Sequence, residues 1–537
     1  MRLRLRRDKH GGDLQNVARG QGGTWSGVEQ AVVYLGAPRA LARDLERRLG
    51  PGNLSAAPPR KERRVELDTI ELGLERSGAR LTWEPRSKKS GLLEWTGADG
   101  RGAQLELRAP PAFVSDLEPG PLRQALRKTA GLRRLIELRE VDRSERELRR
   151  LDERGKTVAR VVERRERFRR PGSGASWSAA RSTLVALPVR GFEAEHGELV
   201  AALADVRGLA RANGTAHERP APGLPFRFEP LEAWPRLERG RPAAGALRAI
   251  ALRQLQIVQA QEPGLRADLD TEFNHDLRVA VRRARAMLSQ LARAVAPGEV
   301  TYLREQLAWL GSVTGPVRDL DVLLLEMRQL EVELREPLAT LAELVEERRA
   351  SEREALIEAL DAPRWVEVQA LWQGWAESAG CEIAPELGEL VASRIERLLR
   401  RVQREGALLG VHAPPDALHG LRIECKKLRY LLECAARIVD PGQHAQCVSA
   451  LRGLQEVLGA VNDARLQAER LEAWAKPLAK RDPRSLLALG RWIERRRTAE
   501  RSARTRFAAR LAALAGRDTQ RSFEGLCAQV RSSELAP

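Results

Sequence analysis

The period of the hydrophobic positions changes once along the chain. Between about Arg63 and Phe168, apolar residues alternate with polar ones in short runs such as RVELDT, GARLTW, GLLEW and AQLELR, separated by Ser-Gly, Asp-Gly and Pro-Pro pairs. Alternation puts every second side chain on one face, so these runs predict a largely antiparallel sheet. VEQAVVYL, starting at Val28, predicts a first strand, and ALARDLERRL (40–49) a helix ended by Gly50-Pro51-Gly52. LIELREVDRSERELRRLDERGKTVARVVERRERF predicts a hairpin turning at Glu153-Arg154-Gly155-Lys156, TLVALPVRGFE a further strand, and ELVAALADVRGLAR a helix. Beyond a Pro- and Gly-rich linker at 213–239 the strand signal disappears. Residues 244–262, 275–295, 299–312, 318–359, 386–409, 416–436, 445–475 and 484–515 carry helical apolar spacing with few β-branched side chains. The chain therefore reads as α+β with two domains: a basic tail (1–26), a β-rich domain (27–212), the linker (213–239), an all-helical domain (240–520) and a C-terminal tail (521–537).

Two of the helices repeat. His275-Asp276-Leu277-Arg278, followed by Arg282, Arg283 and Arg285, matches His419-Gly420-Leu421-Arg422, followed by Lys426, Lys427 and Arg429, at an offset of 144 residues. At about 100° per residue, His419, Arg422, Lys426 and Arg429 fall within an arc of about 80°. Leu421, Cys425, Leu428 and Leu432 lie opposite, as do Leu277, Val281, Ala284 and Leu288 in the first copy. Each copy is an amphipathic helix with a packed side and a cationic side. Leu310, Gly315, Val317 and Asp319 recur as Leu454, Gly459, Val461 and Asp463 at the same offset, so the copies extend over 275–321 and 419–465. A constant offset over such a length marks an internal duplication.

Composition narrows the partner. The 537 residues include 92 Lys and Arg against 74 Asp and Glu, a formal charge of +18. That balance favours a polyanion, whether nucleic acid, anionic lipid or a phosphate polymer, without choosing among them. The five cysteines (Cys381, Cys425, Cys434, Cys447, Cys527) are odd in number and lack Cys-x-x-Cys spacing. They read as free thiols of a reducing compartment, not as a zinc site or disulfide framework. No apolar run is long enough for a membrane span, and MRLRLRRDKHGGD lacks the apolar core of a secretory signal, so a cytoplasmic protein with no membrane partner is expected.

Cations on one helical arc repel one another by a few tenths of a kcal/mol per neighbouring pair. Stability alone gives no reason to build such a face twice, whereas a ligand with many negative charges does. A pseudo-two-fold that brought both arcs to a shared seam would line a channel with His275, Arg278, Arg282, Arg285, His419, Arg422, Lys426 and Arg429. Arg283 and Lys427 complete the candidate binding set. Arginine grips phosphate oxygens with a planar fork, lysine acts as a point charge, and histidine adds a donor whose charge responds to pH. The alternative is that these cations pair with Asp319, Asp321, Asp463 and Glu433. Asp319 and Asp463 are expected to cap a helix after a Gly-containing turn and to orient an arginine of the basic face. Tyr430 is the one aromatic close to the motif.

His-x-x-Arg-x-x-x-(Arg/Lys)-(Arg/Lys)-x-Arg occurring twice, with Leu-Gly-x-x-x-Asp after the second copy, resembles the conserved histidine α-helical domain, CHAD, over residues 240–520. The resemblance implies two pseudo-symmetric four-helix bundles and a basic central channel or groove that binds inorganic polyphosphate. The copies differ where Arg318 stands in place of Asn462.

CHAD domains are often fused to a CYTH domain, the triphosphate tunnel fold, and residues 28–210 resemble one. The likeness rests on Val28-Glu29, on Asp68-Thr69 followed by ELGLERSGARL, and on the TVARVVERRE hairpin. In that family the first strand carries Glu-x-Glu-x-Lys, which supplies metal-binding carboxylates and a phosphate-binding cation. Here the positions are Glu29, Ala31 and Val33, and Thr82 and Glu84 stand where paired tunnel arginines are expected. Triphosphate hydrolysis needs a divalent ion clamped by carboxylates. The domain is therefore expected to be a degenerate, catalytically dead relative with Glu29 as a remnant. Magnesium or manganese would be needed only if activity persisted, and the helical domain would need no cofactor.

The expected function is non-enzymatic binding of inorganic polyphosphate, with association with polyphosphate granules as its extension; the domain pairing implies a bacterial source. A nucleic-acid partner is the rival within binding proteins, weakened by 4% aromatics and by the lack of interleaved Phe or Trp in either motif. A triphosphatase or nucleotide-processing enzyme acting through the CYTH-like domain is the rival from another class. The patterns do not specify an oligomeric state.

Overall fold

A computed structural model describes residues 32–36, 41–50, 54–87, 89–98, 101–172, 174, 176–211, 225–238, 240–291, 297–378, 385–436 and 438–531. The basic tail, Val28, Glu29, Ala31 and Cys381 lie outside them. The chain divides into two compact units, Met1–Glu229 and Pro230–Pro537.

The first unit contains β1 (Val32–Leu35), α1 (Leu41–Leu49), β2 (Leu54–Ala56), β3 (Arg60–Asp68), α2 (Gly73–Arg76), β4 (Arg80–Ser87), β5 (Ser90–Thr96), β6 (Gly102–Leu107), α3 (Pro121–Ala130), β7 (Ile136–Leu151), β8 (Thr157–Arg169), β9 (Arg181–Leu187), α4 (Glu193–Ala204) and β10 (Ala210–Arg211). One antiparallel sheet runs in the order β10-β1-β9-β8-β7-β3-β4-β5-β6, with β2 paired to the end of β7. No ladder among the described residues joins β10 to β6, so the ladders form a path with two ends. The expected hairpin is β7–β8, closed by Asp152 N–H donating to the Lys156 carbonyl, with Gly155 at φ +74°. The helix expected through Arg211 stops at Ala204. Gly208, at φ +89°, then turns the chain so that Ala210 and Arg211 pair with β1.

Alternation along the strands gives the sheet two unlike faces. One carries two apolar patches: Tyr34, Leu148, Val161 and Leu184 pack with Leu41, Leu45 and Leu199 of α1 and α4, and Leu67, Leu81, Trp83 and Leu93 with Leu122 and Leu126 of α3. The other face is polar. Its arginines, Arg64, Arg139, Arg143 and Arg164, are held by Glu94, Glu66, Glu166 and Glu145 respectively. Thr82 and Glu84 share this face by register with Glu66 and Arg64.

The second unit is helical: α5 (Ala243–Arg266), α6 (Thr271–Gln290), α7 (Pro297–Gln329), α8 (Val332–Arg335), α9 (Ala339–Asp361), α10 (Pro363–Glu377), α11 (Leu387–Ala407), α12 (Pro415–Ala435), α13 (Pro441–Arg481), α14 (Leu486–Thr505), α15 (Phe507–Ala515) and α16 (Arg517–Arg531). The starts of α5 and α11, α6 and α12, α7 and α13, and α10 and α15 are each separated by 144 residues. The duplication thus extends over four pairs of helices and not only the motif. Helices α5, α6, α7 and α10 close one four-helix bundle, and α11, α12, α13 and α16 close the other. The bundles meet where α6 faces α12 and α5 faces α11. Beyond them, Leu320, Leu334, Leu341, Leu471, Leu478 and Trp492 join the far ends of α7, α9, α13 and α14 in one core.

Three expectations are corrected. The GPVRD and GAVND stretches are not turns: Asp319 and Asp463 lie inside the continuous helices α7 and α13 and cap neither. Gly315 lets the Arg278 guanidinium rest against the helix, where a Cβ would lie 3.4 Å from its Nη1. The carbonyl that Pro316 leaves without a helical donor belongs to Ser312, an exposed residue at which water can replace it. Second, the tail begins too early at 521, because α16 runs to Arg531 and buries Phe523, Leu526, Cys527 and Val530. Third, the distal part of the linker belongs to the helical unit. Trp234 and Leu237 are buried there, and Gln254 donates to the Ala233 carbonyl at 2.6 Å; residues 212–224 lie outside the described residues.

Cys425, Cys434, Cys447 and Cys527 are buried free thiols, each pushed up to about 12 chiefly by burial. Asp270 starts the first basic helix by accepting Glu272 N–H at 3.0 Å. Asp270→Ala is expected to cost about 1 kcal/mol of stability, read as a lower midpoint in urea with unchanged slope.

Candidate functional site: a cationic seam between α6 and α12

The amphipathic helices behave as their pattern requires. Leu277, Val281, Ala284 and Leu288 are buried in the first bundle, and Leu421, Cys425, Leu428 and Leu432 in the second. That leaves the basic arcs to face one another. Arg282 and Lys426, which are equivalent under the 144-residue offset, come closest to a symmetric pair at the centre. Neither side chain makes a hydrogen bond or ion pair among the described residues. Burial, followed by Arg422 and Arg282, lowers the Lys426 ammonium to about 8. Arg282 keeps an exposed side chain at the seam, and its affinity for the proton is lowered by burial and, more weakly, by Arg429, Arg422 and Arg318, against an opposing influence of Tyr430.

Around this pair the two halves use different partners. Arg278 donates to the Gly311 carbonyl at 2.6 Å and to Thr314 Oγ1 at 2.9 Å, both neutral acceptors, and is lowered by burial and then by Arg282. Its equivalent Arg422 pairs with Asp463 at 3.0 Å. Asp319, the equivalent of Asp463, instead holds Arg470 of α13 at 2.7 Å. Glu433 bridges the seam, 3.4 Å from Arg283 of α6 and 3.3 Å from Arg429 of its own helix. Arg429 lies over the buried Tyr430 ring at 5.1 Å. Carboxylate pairing is therefore real for Arg422, Arg470, Arg429 and Arg283, but it leaves the central pair without an ion-pair partner among the described residues, with Asp463 acting on Lys426 only through space. Asp321 is spent elsewhere, on Arg349 at 2.6 Å.

Not every motif cation belongs to the seam. Lys427 turns away and binds the buried Glu424 at 2.7 Å, a carboxylate that also lies 3.7 Å from Arg401 of α11. Arg285 is exposed toward α7, where Arg304 lowers its proton affinity further after burial. Arg283 reaches Glu433 and lies 5.9 Å from the Trp234 ring. Conversely, Arg318 acts on Arg278 and Arg282, and Arg470 on Arg278, yet both stand outside the motif, on the long helices behind it. Arg470 follows Asp463 by seven residues, two turns along the same face of α13, and that spacing was the available signal.

His419 Nδ1 is 2.7 Å from Asn462 Oδ1, Asn462 Nδ2 donates to Asp463, and Asp463 accepts from Arg422. This chain of contacts fastens α12 to α13 and orients Arg422. His275 is half-buried at the equivalent position, where Arg318 replaces Asn462 and donates to the Thr271 carbonyl at 3.2 Å.

Among the described residues no helix is long and apolar enough to cross a membrane, and no group of three or more His, Cys, Asp or Glu is placed to hold a metal ion. No curated protein matches the chain. Among solved structures, the CHAD domain from the plant Ricinus communis is 24% identical, with 57% of this chain and 96% of that one covered at a TM-score of 0.40. PptA from Streptomyces chartreusis is 19% identical, with 50% and 98% covered at a TM-score of 0.41. The CHAD domain family model matches residues 249–472, a span that contains both basic helices and the crossing of α7 and α13 behind them. The helical unit of this chain carries a CHAD domain.

Proposed function

We propose that the seam between α6 and α12 binds inorganic polyphosphate, and that the protein acts as a cytoplasmic polyphosphate binder associated with polyphosphate granules. The observation that carries this reading is the pair Arg282 and Lys426, which has no ion-pair partner among the described residues and is flanked by Arg278, Arg318, Arg422 and Arg470, where burial and mutual repulsion disfavour the charged groups. A polyanion relieves that repulsion. Symmetry supports the choice of polyanion. A linear phosphate chain reads the same in both directions and meets equivalent cations from the two halves, whereas a nucleic-acid strand has a direction. Affinity should come largely from counterion release, so binding should weaken steeply with salt and strengthen with chain length. Titration with long-chain polyphosphate and with single-stranded RNA at matched salt tests it; tighter RNA binding would overturn the reading.

The first unit is proposed to be catalytically inactive. Its Glu-x-Glu-x-Lys positions retain only Glu29, which lies outside the described residues, and the arginines of its polar face are already held by carboxylates. Incubation with tripolyphosphate or ATP and magnesium or manganese is expected to give no phosphate release above a Glu29→Ala control. Turnover that disappears in that control would reinstate the enzyme.

A further inference from the structure

The outer face of the N-terminal sheet has a gap in its covering. Helices α1 and α4 cover one apolar patch and α3 the other, but between the patches the sheet presents charge. In register across three strands, Lys61, Ser144 and Arg165 form one row and Arg63, Asp142 and Arg167 the next. With strands about 4.8 Å apart and alternate residues about 7 Å apart along each, the four cations mark the corners of a rectangle roughly 10 Å by 7 Å. All four are exposed.

Carboxylates neutralise the surroundings of this rectangle and, through Asp142 in the second row, one of its four corners, Arg167. Arg146 pairs with Glu163, Arg169 with Glu140 and Arg167 with Asp142. Lys61, Arg63 and Arg165 have no carboxylate partner among the described residues. Like charges on neighbouring sheet positions oppose folding, and here Lys61 and Arg165 share a row with only Ser144 between them, on a face that no helix covers. Trp177 rests over the same rows, with Arg169, Arg63 and Arg167 at 4.7, 5.6 and 5.7 Å from its ring centroid. The ring orders these guanidinium groups and leaves their N–H edges for a ligand. Because guanidinium groups occupy the ring, the face is built to read phosphate charge and not to stack bases.

We infer that this saddle of β3, β7 and β8 is a second anion site, which takes a segment of a condensed phosphate chain through Lys61, Arg63, Arg165 and Arg167, with the Ser144 hydroxyl as a further donor. The inference is independent of the seam between α6 and α12. The test uses the full chain carrying Arg282→Met and Lys426→Met, so that the seam is silenced, and measures long-chain polyphosphate at low salt. Residual binding is expected, and Lys61→Gln, Arg63→Gln and Arg165→Gln together should weaken it about ten-fold or more and lower its salt dependence. Arg76→Gln, Arg127→Gln and Lys128→Gln, which remove the same charge from exposed positions elsewhere on this unit, should leave it unchanged. An equal loss in both triple variants would reduce the effect to net charge and overturn the site, as would no residual binding in the seam-silenced chain. If RNA bound more tightly than polyphosphate, and Trp177→Leu removed that binding, the assignment to phosphate chains would fall. Should the seam substitutions leave binding intact while the triple variant abolishes it, the saddle would stand and the seam reading would fail.

Discussion

Arg282→Met with Lys426→Met is expected to lower affinity for long-chain polyphosphate by about 10² to 10⁴, the loss of two charge-assisted contacts of roughly 1.5–3 kcal/mol each. Methionine keeps the apolar stems and removes only the charges. The same substitutions should leave helicity unchanged and stability equal or slightly raised, because they remove the charge that burial and then the neighbouring arginines penalise, lowering Lys426 to about 8. The sign follows from proton linkage. The folded chain holds the Lys426 proton less tightly than the unfolded chain, so the penalty is fully present at pH 7 and fades as pH rises above 8 toward the ordinary lysine value. Weaker binding by a more stable protein is the signature of a ligand site; weaker binding with lost helicity would mean that the residues are structural. Unchanged affinity would move the site elsewhere.

Polyphosphate binding should also depend on pH in a window set by one residue. Below pH 8 the Lys426 ammonium is charged before the ligand arrives, and affinity is flat. Above pH 8 the free protein loses this proton while a bound polyanion retains it, so affinity should fall by up to about ten-fold per pH unit, with one proton taken up on binding. The charged groups acting on Lys426 are Arg422, Arg282, Asp463 and Arg429; arginine and aspartate side chains do not change charge between pH 8 and 10. Lys426→Arg should therefore bind at least as well and lose the dependence. Calorimetry in buffers of different ionisation enthalpy reads the proton directly, and an unchanged alkaline fall in Lys426→Arg would exclude Lys426 as its source.

What the sequence made legible was set by local periodicity. Two arcs of about 80° and one constant offset were enough to bring Arg278 and Arg282 against Arg422, Lys426 and Arg429, because helix geometry fixes which residues share a face. The same geometry separates Lys427 and Arg283 from the arc by about 80°, and these motif members go to Glu424 and Glu433 instead. Arg318 and Arg470 were not legible from the motif, since their nearness depends on how α7 and α13 cross behind it. Gly315 and Pro316 looked like a helix boundary because glycine and proline usually mark one. Here the glycine lies inside a continuous helix with the Arg278 guanidinium resting against it, a neighbour that exists only in three dimensions. In the first unit, alternation predicted strands but not the order in which they pair, and the two charged faces of the sheet emerge only once the register is known.

The seam is short compared with its proposed ligand. Arg422 and Arg429 are seven residues apart, about 10 Å along α12, so the seam touches only a few phosphates at once. Beyond that length a longer chain adds no new contact; it adds starting positions. Every interior phosphate offers the same register to the seam, and the pseudo-two-fold lets each register be read from either end. Affinity per chain should therefore grow in proportion to the number of phosphates, while affinity per phosphate unit stays constant. The seam would then hold a chain as a sliding ring holds a rod, fixed in place sideways and free along its length.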